Sequence, residues 1–147
     1  MKTLHFAVLM SLAPMLAFAA TPAQEKQFVD TYKKAFEAKD DKTLTGFLYT
    51  KGSDPEAAGF YKMMMTAEMG SKITSIQLVD LNADDKKRAA GGPGPSGKPM
   101  KFNLTPTKKL VIKSETKDAN GSSSSSNETF VAEADGKLVI PVPGPAN

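Results

Sequence analysis

Apolar residues recur at helical spacing between residues 21 and 48, the stretch around which the rest of the chain is organised. Phe28, Tyr32 and Phe36 lie four residues apart, and Val29 and Ala35 fall beside them on the same side of a helix. The opposite side is charged, with Lys26, Asp30, Lys33, Lys34 and Glu37. This pattern predicts an amphipathic helix whose apolar side needs a partner surface, and the strand-like segments that could supply one all lie downstream.

The start of this helix carries a complete set of signals. Thr21 is the predicted N-cap, Pro22 takes the first helical position, and Gln24 stands three residues after the cap. Lys39-Asp40-Asp41 then interrupts the periodicity, and either aspartate can cap a short second helix over residues 42–48.

A third helix is predicted after the sequence Ser53-Asp54-Pro55-Glu56, which combines a capping box with a proline in the first turn. We expect it to run to about Met69, with Gly70 as the residue that follows its C-terminus.

The hydrophobic pattern changes after Ser71 from helical spacing to strand-like runs. Asp135-Gly136 between the last two runs is typical of a tight hairpin turn. The predicted strands cover residues 72–81, 100–104, 109–115, 129–133 and 137–142. Helices followed by antiparallel strands indicate an α+β fold, with the N-terminal helices packed on a curved antiparallel sheet of four to five strands.

Two polar segments interrupt the strands, and we expect flexible loops near 82–99 and 117–128. The first is rich in Gly and Pro, and the second contains five consecutive serines. Asp84 and Asp85 in the first segment are expected to be solvated charges, whereas Asp40 and Asp41 are expected to cap a helix.

Residues 1–19 have the pattern of a secretory signal peptide. Lys2 supplies a positive charge, residues 6–16 are mostly apolar, and Ala17-Phe18-Ala19 offers a cleavage site after Ala19. The apolar run is shorter than the ~20 residues that span a bilayer, so we expect no membrane anchor after the leader is removed. The sequence therefore predicts a periplasmic or secreted protein with a single α+β domain over residues 20–147.

The composition of the mature chain excludes several classes of function. Removing Lys2 with the leader reduces the 19 Lys and Arg to 18, against 16 Asp and Glu, so the net charge becomes +2. That balance does not indicate nucleic acid as a partner. The only histidine, His5, lies in the leader, and the chain has no cysteine. Ser-His-Asp and Cys-His catalysis, zinc sites with N or S ligands, and disulfides are therefore excluded.

Residues 28–44, FVDTYKKAFEAKDDKTL, resemble the opening of nuclear transport factor 2-like proteins, in which an aromatic-to-alanine helix runs into an acidic turn and a second helix. Residues 130–140, FVAEADGKLVI, resemble the last hairpin of that superfamily. The resemblance implies a cone-shaped α+β fold with a pocket between helices and sheet. The superfamily carries isomerases, dehydratases, transport factors and binding domains, so the resemblance selects no single function. This chain departs from the pattern in having Leu138 where an aromatic residue is common, and in lacking histidine in the mature part.

Met63, Met64, Met65 and Met69 form the most conspicuous cluster. Thioethers can bind Cu(I), but methionine also fills irregular cores and lines adaptable apolar pockets. Because the chain offers no histidine and no further Met-x-Met pattern, we favour the second interpretation and predict no metal and no cofactor. A helix apolar on most of its circumference must be covered on a second side. We therefore expect Met63 and Met64 in the core, and Met65 and Met69 at a pocket or a subunit interface.

Tyr32 places a hydroxyl group in an otherwise apolar stripe. That hydroxyl could point at a ligand, could donate to an oxyanion beside a carboxylate base, or could reach a backbone carbonyl or the surface. We favour the last interpretation and keep Tyr32 as a candidate pocket residue.

These observations favour a non-enzymatic binding or interaction module with an apolar pocket or interface. Its partner would be a small apolar ligand or a second copy of the chain in a homo-oligomer. The alternative is a lyase or isomerase that uses Tyr and Asp or Glu without His or Cys. A tyrosine hydroxyl and a carboxylate converging at an apolar pocket floor would favour the enzyme.

Overall fold

A computed structural model of the chain describes residues 19–94 and 97–146, so the predicted leader up to residue 18 lies outside the described residues. The helices are α1 (Pro22–Glu37), α2 (Asp41–Thr45), α3 (Pro55–Thr66) and α4 (Ala83–Ala89). The strands are β1 (Leu48–Tyr49), β2 (Lys72–Asp80), β3 (Gly92–Pro93), β4 (Pro99–Phe102), β5 (Lys108–Asp118), β6 (Gly121–Ala134), β7 (Lys137–Pro141) and β8 (Pro143–Pro145). The α+β class predicted from the sequence is confirmed.

The described residues form two sheets. The larger has the strand order β1-β7-β6-β5-β2, and the smaller has the order β3-β4-β8. Strands β2, β5, β6 and β7 pair antiparallel, whereas β1 pairs parallel to β7 through Leu48 opposite Ile140. The predicted hairpin turn is present, with φ of 50° at Asp135 and 73° at Gly136, between β6 and β7.

The core lies between α1 and one face of the larger sheet. Phe28, Tyr32 and Phe36 of α1 are buried in one cluster with Leu110 and Ile112 of β5. The rings of Tyr32 and Phe36 are stacked with centroids 6.4 Å apart. The predicted amphipathic stripe is therefore the surface that joins the first helix to the sheet.

The helix boundaries follow the predicted caps at α1 and differ at the next two helices. Thr21 and Gln24 form the capping box at the start of α1. The second helix ends at Thr45 and not at residue 48, because β1 hydrogen-bonds to β7 and draws Leu48 into the sheet. The third helix is capped by Asp54, which accepts from the N–H groups of the next turn, and it ends at Thr66.

The first expected loop contains a helix, so the prediction of a loop was wrong for residues 83–89. Residues 95 and 96 of the expected loop lie outside the described residues. Asn82 and Asp85 form a capping box at the start of α4, and the basic residues of the last turn oppose the negative end of the helix dipole. Asp85 was expected to be solvated, but it is buried. Its carboxylate pairs there with Arg88 and with Lys109, whose Nζ lies 3.1 Å from Asp85 Oδ2. Charge complementarity thus stabilises a segment that offers few apolar residues.

The second expected loop is a strand, so the prediction for residues 117–128 was also wrong. The serine run lies in β6 and pairs with β5 in continuous register, with Ser125 opposite Ser114 and Ser122 opposite Lys117. Backbone hydrogen bonding to a neighbouring strand overrides the low strand propensity of an isolated polar run.

Alternation along β5 and β6 divides their side chains between the two faces of the sheet. Leu110 and Ile112 face α1, whereas Lys109 faces the opposite side with Glu128 and Phe130. The Phe130 ring meets Phe102 of β4 edge-on at 5.3 Å. The smaller sheet and α4 therefore cover the second face of the larger sheet.

Candidate functional site

A cavity of about 270 Å³ lies between α1, α3 and the core-facing side of β5 and β6. Its apolar wall is formed by residues from three elements, among them Tyr32, Phe36, Tyr61, Met65 and Ile112. Tyr32 and Met65 are only 3% and 7% exposed, so most of each side chain belongs to the core and one edge borders the cavity. The cavity therefore has a packed, preformed apolar wall.

Glu68 supplies a carboxylate to the same cavity. Its Oε2 atom accepts hydrogen bonds from Ser125 Oγ at 2.6 Å, Asn127 Nδ2 at 3.1 Å and Ser114 Oγ at 3.3 Å. Leu110, Ile112 and Ser114 are alternate residues of β5, so all three lie on the same face of the sheet. Ser114 therefore places a polar group at the end of an apolar row. The arrangement fixes one carboxylate at the polar end of an apolar wall.

Glu128 also borders the cavity, but its carboxylate is engaged elsewhere. Its Oε2 accepts from Lys109 Nζ at 3.0 Å and lies 3.5 Å from Arg88, both on the opposite side of the sheet. Glu68 differs, because none of the ion pairs among the described residues includes it. Among the described residues, the carboxylate of Glu68 is therefore contacted by neutral hydrogen-bond donors and by no cationic side chain.

Two tyrosines, Tyr32 and Tyr61, also line the cavity. Burial raises the pKa of Tyr32 and of Tyr61 to about 12. Both side chains are therefore neutral phenols near pH 7, which can donate a hydrogen bond but cannot act as a base.

The structure brings together two of the three predicted site residues. Tyr32 and Met65 line the same cavity, whereas Met69 lies in a separate cleft beside Gly70 and Lys72. Met69 still packs partly against the core.

Met63 and Met64 were expected in the core, and this prediction was wrong, because their exposed fractions are 60% and 47%. The helix turns a different line of residues inward, with Ala57 and Met65 buried and Tyr61 packed against the core. Since α3 is apolar on most of its circumference, helical spacing alone could not decide between the two faces.

Sequence reasoning missed Tyr61, Glu68, Ser114 and Ser125. Tyr61 stands one helical turn before Met65, and that spacing was available in the sequence. Glu68 and the two serines could not be identified, because they meet only when β5 and β6 pair and the end of α3 packs over them.

A second cavity of about 410 Å³ lies on the other side of α3, against the smaller sheet. Phe60, Met100 and Phe102 form much of its wall, and Tyr61 borders both cavities. Helix α3 therefore lies between two cavities, with exposed Phe60 bordering the second cavity and exposed Met64 bordering the first. Phe60, Met63 and Met64 together form the exposed outer ridge of α3.

Within residues 19–94 and 97–146, no group of three or more His, Cys, Asp or Glu side chains is arranged to hold a metal ion. None of the helices in the same part of the chain is long and apolar enough to cross a membrane. Comparisons of the chain with protein-family models, curated proteins and solved structures gave no match.

Proposed function

We propose that the protein is an exported binding module that holds a small amphipathic ligand in the cavity between α1, α3 and the sheet. The observation that carries this proposal is the convergence of Tyr32 and Met65 on one preformed cavity, together with a carboxylate at its polar end. An apolar wall with a few fixed polar groups is the usual composition of a small-molecule site.

Export is part of the proposal and rests on the sequence of the leader. Lys2, the apolar run over residues 6–16 and Ala17-Phe18-Ala19 support removal of residues 1–19. N-terminal sequencing of the protein recovered outside the cytoplasm should begin at Ala20, and retention of Met1 would contradict export by this route.

A ligand is favoured over a second copy of the chain because the apolar surface on α3 is small. Phe60, Met63 and Met64 are the large apolar side chains exposed in the described part of the chain, at 49%, 60% and 47%. Together these side chains expose roughly 300 Å², whereas a stable interface buries about 800 Å² on each partner, of which about 450 Å² or more is apolar. The outer ridge of α3 alone therefore falls short of a dimer interface.

A neutral fluorescent probe tests the proposal. N-phenyl-1-naphthylamine should bind the purified protein saturably with one site, and its emission should increase as it leaves water. Ala67 is exposed and borders the cavity, so Ala67→Trp should obstruct the entrance without disturbing the core. Ala119→Trp, an exposed position in the turn between β5 and β6, is the matched control. Equal binding by the two variants would contradict a ligand site in this cavity.

The same cavity supports a second candidate function, a lyase or isomerase. Tyr32 and Tyr61 are neutral donors and Glu68 is a carboxylate, which together could stabilise an enolate and accept a proton. Purified protein would then convert an enolisable hydroxyketone, and both Tyr32→Phe and Glu68→Gln would lower kcat by at least about a hundredfold. Turnover that survives both substitutions would exclude this cavity as the site of reaction.

A further inference from the structure

The cavity between α1, α3 and the sheet combines an apolar wall with a carboxylate that no Lys or Arg among the described residues neutralises. We infer that its ligand is an organic cation, a protonated amine with an apolar chain, whose ammonium group binds Glu68. This inference rests on the proposed function, because it names the chemical class of ligand for the same cavity.

The hydrogen bonds of Glu68 leave half of its carboxylate available. Ser114, Ser125 and Asn127 all donate to Oε2, and Oε1 accepts no hydrogen bond from the described side chains or backbone. The three donors are neutral, so they orient the carboxylate but leave its negative charge in place. An ammonium group can donate a hydrogen bond to the free Oε1 atom, and its positive charge complements the negative charge of the carboxylate.

The position of Glu68 at the end of α3 also favours a cationic ligand. Glu68 follows the C-cap Ala67, at the negative end of the helix dipole, where an acidic side chain is unfavourable. The last turn of α3 contains no basic residue that would offset this charge. A bound cation would therefore interact favourably with both the carboxylate and the helix terminus.

The remaining wall suits the apolar part of such a ligand. Phe36 and Ile112 are each 5% exposed, and Met65 offers a flexible thioether that adapts to the shape of a chain. Glu128 does not compete for the ammonium group, because Lys109 and Arg88 already neutralise its carboxylate.

Three ligands of one chain length test the inference: octylammonium, octan-1-ol and octanoate, each in competition with N-phenyl-1-naphthylamine. We expect octylammonium to bind about tenfold or more tightly than octan-1-ol, and octanoate to bind most weakly. Glu68→Gln keeps an acceptor for the three donors and removes the charge, so the affinity for octylammonium should fall by about tenfold while that for octan-1-ol is unchanged. Glu133→Gln, which alters a carboxylate outside the cavity wall, should change neither affinity.

The outcomes distinguish a failure of the cation inference from a failure of the proposed binding function. If octan-1-ol binds as tightly as octylammonium, or if Glu68→Gln weakens both ligands equally, the cation inference is wrong and the binding module stands. A Glu68→Gln protein with a lower urea midpoint and unchanged affinity for octylammonium would assign Glu68 a structural role only. If the probe binds but none of the three ligands displaces it, the cation inference fails and the binding module stands. The proposed function itself fails if the probe does not bind saturably, or if Ala67→Trp and Ala119→Trp bind it equally.

Discussion

Truncation of Phe36 tests whether the α1 stripe forms the core that shapes the cavity. Phe36 is 5% exposed, and its ring stacks on Tyr32 at 6.4 Å. Buried Phe→Ala substitutions cost about 3–5 kcal/mol. Because Phe36 also lines the cavity, the space left by its ring would join an existing void and could admit water. We therefore expect a loss at the lower end of that range, about 3 kcal/mol in the free energy of unfolding.

Urea unfolding followed by circular dichroism measures this loss. With a slope of about 2 kcal/mol per molar urea, Phe36→Ala should lower the midpoint by about 1.5 M. Phe60→Ala is the comparison, because Phe60 is 49% exposed. It should lower the midpoint by about 0.5 M or less, since it removes a ring that already contacts water. If Phe36→Ala leaves too little folded protein to measure, Phe36→Leu should still cost about 1 kcal/mol.

A midpoint for Phe36→Ala no lower than that of Phe60→Ala would contradict the reasoning. It would mean that the stripe contributes no more to the core than an exposed ridge does. The arrangement of α1 over the sheet, and with it the wall of the cavity, would then be wrong.

Three further outcomes are expected. Thr21→Ala should lower the free energy of unfolding by about 1 kcal/mol in the same urea assay, because it removes the cap of α1. Hydrogen bonding from Arg88 holds the pKa of Asp85 below its usual 3.8, so the stability that Asp85 contributes is complete above about pH 4 and is lost as pH falls toward the lowered value. Asp85→Asn should therefore lower the urea midpoint at pH 6 more than at pH 3. Deleting Ser123 from β6 alone should shift the register of β6 against β5 by one residue and disrupt the Ser125–Glu68 hydrogen bond, so probe binding should weaken.

The parts of the fold that the sequence predicted are those with local causes. Thr21, Pro22 and Gln24 begin α1 through contacts within one helical turn, and Asp135-Gly136 forms its hairpin through backbone angles that Gly and Asp tolerate. The apolar spacing of the first helix likewise identified the stripe that packs in the core.

The predictions that were wrong concern features that depend on contacts between distant segments of the chain. The serine run has no strand signal of its own and becomes β6 because β5 supplies a partner for its backbone. Asp85 is buried because Lys109, on another element, neutralises it. Tyr32 and Met65 could be chosen as candidate cavity residues from helical spacing and chemistry, whereas Glu68 required the packing of α3 over two paired strands.

Methyl NMR of the methionines would locate the ligand in solution. Met64 and Met65 border the proposed cavity, Met100 lies in the wall of the second cavity beyond α3, and Met69 lies in a separate cleft. Titration of octylammonium into protein labelled with ¹³C at the methionine methyl groups should shift the Met64 and Met65 signals and leave Met69 and Met100 in place. A saturable shift at Met100 or Met69, with Met64 and Met65 unchanged, would contradict a binding site between α1, α3 and the sheet.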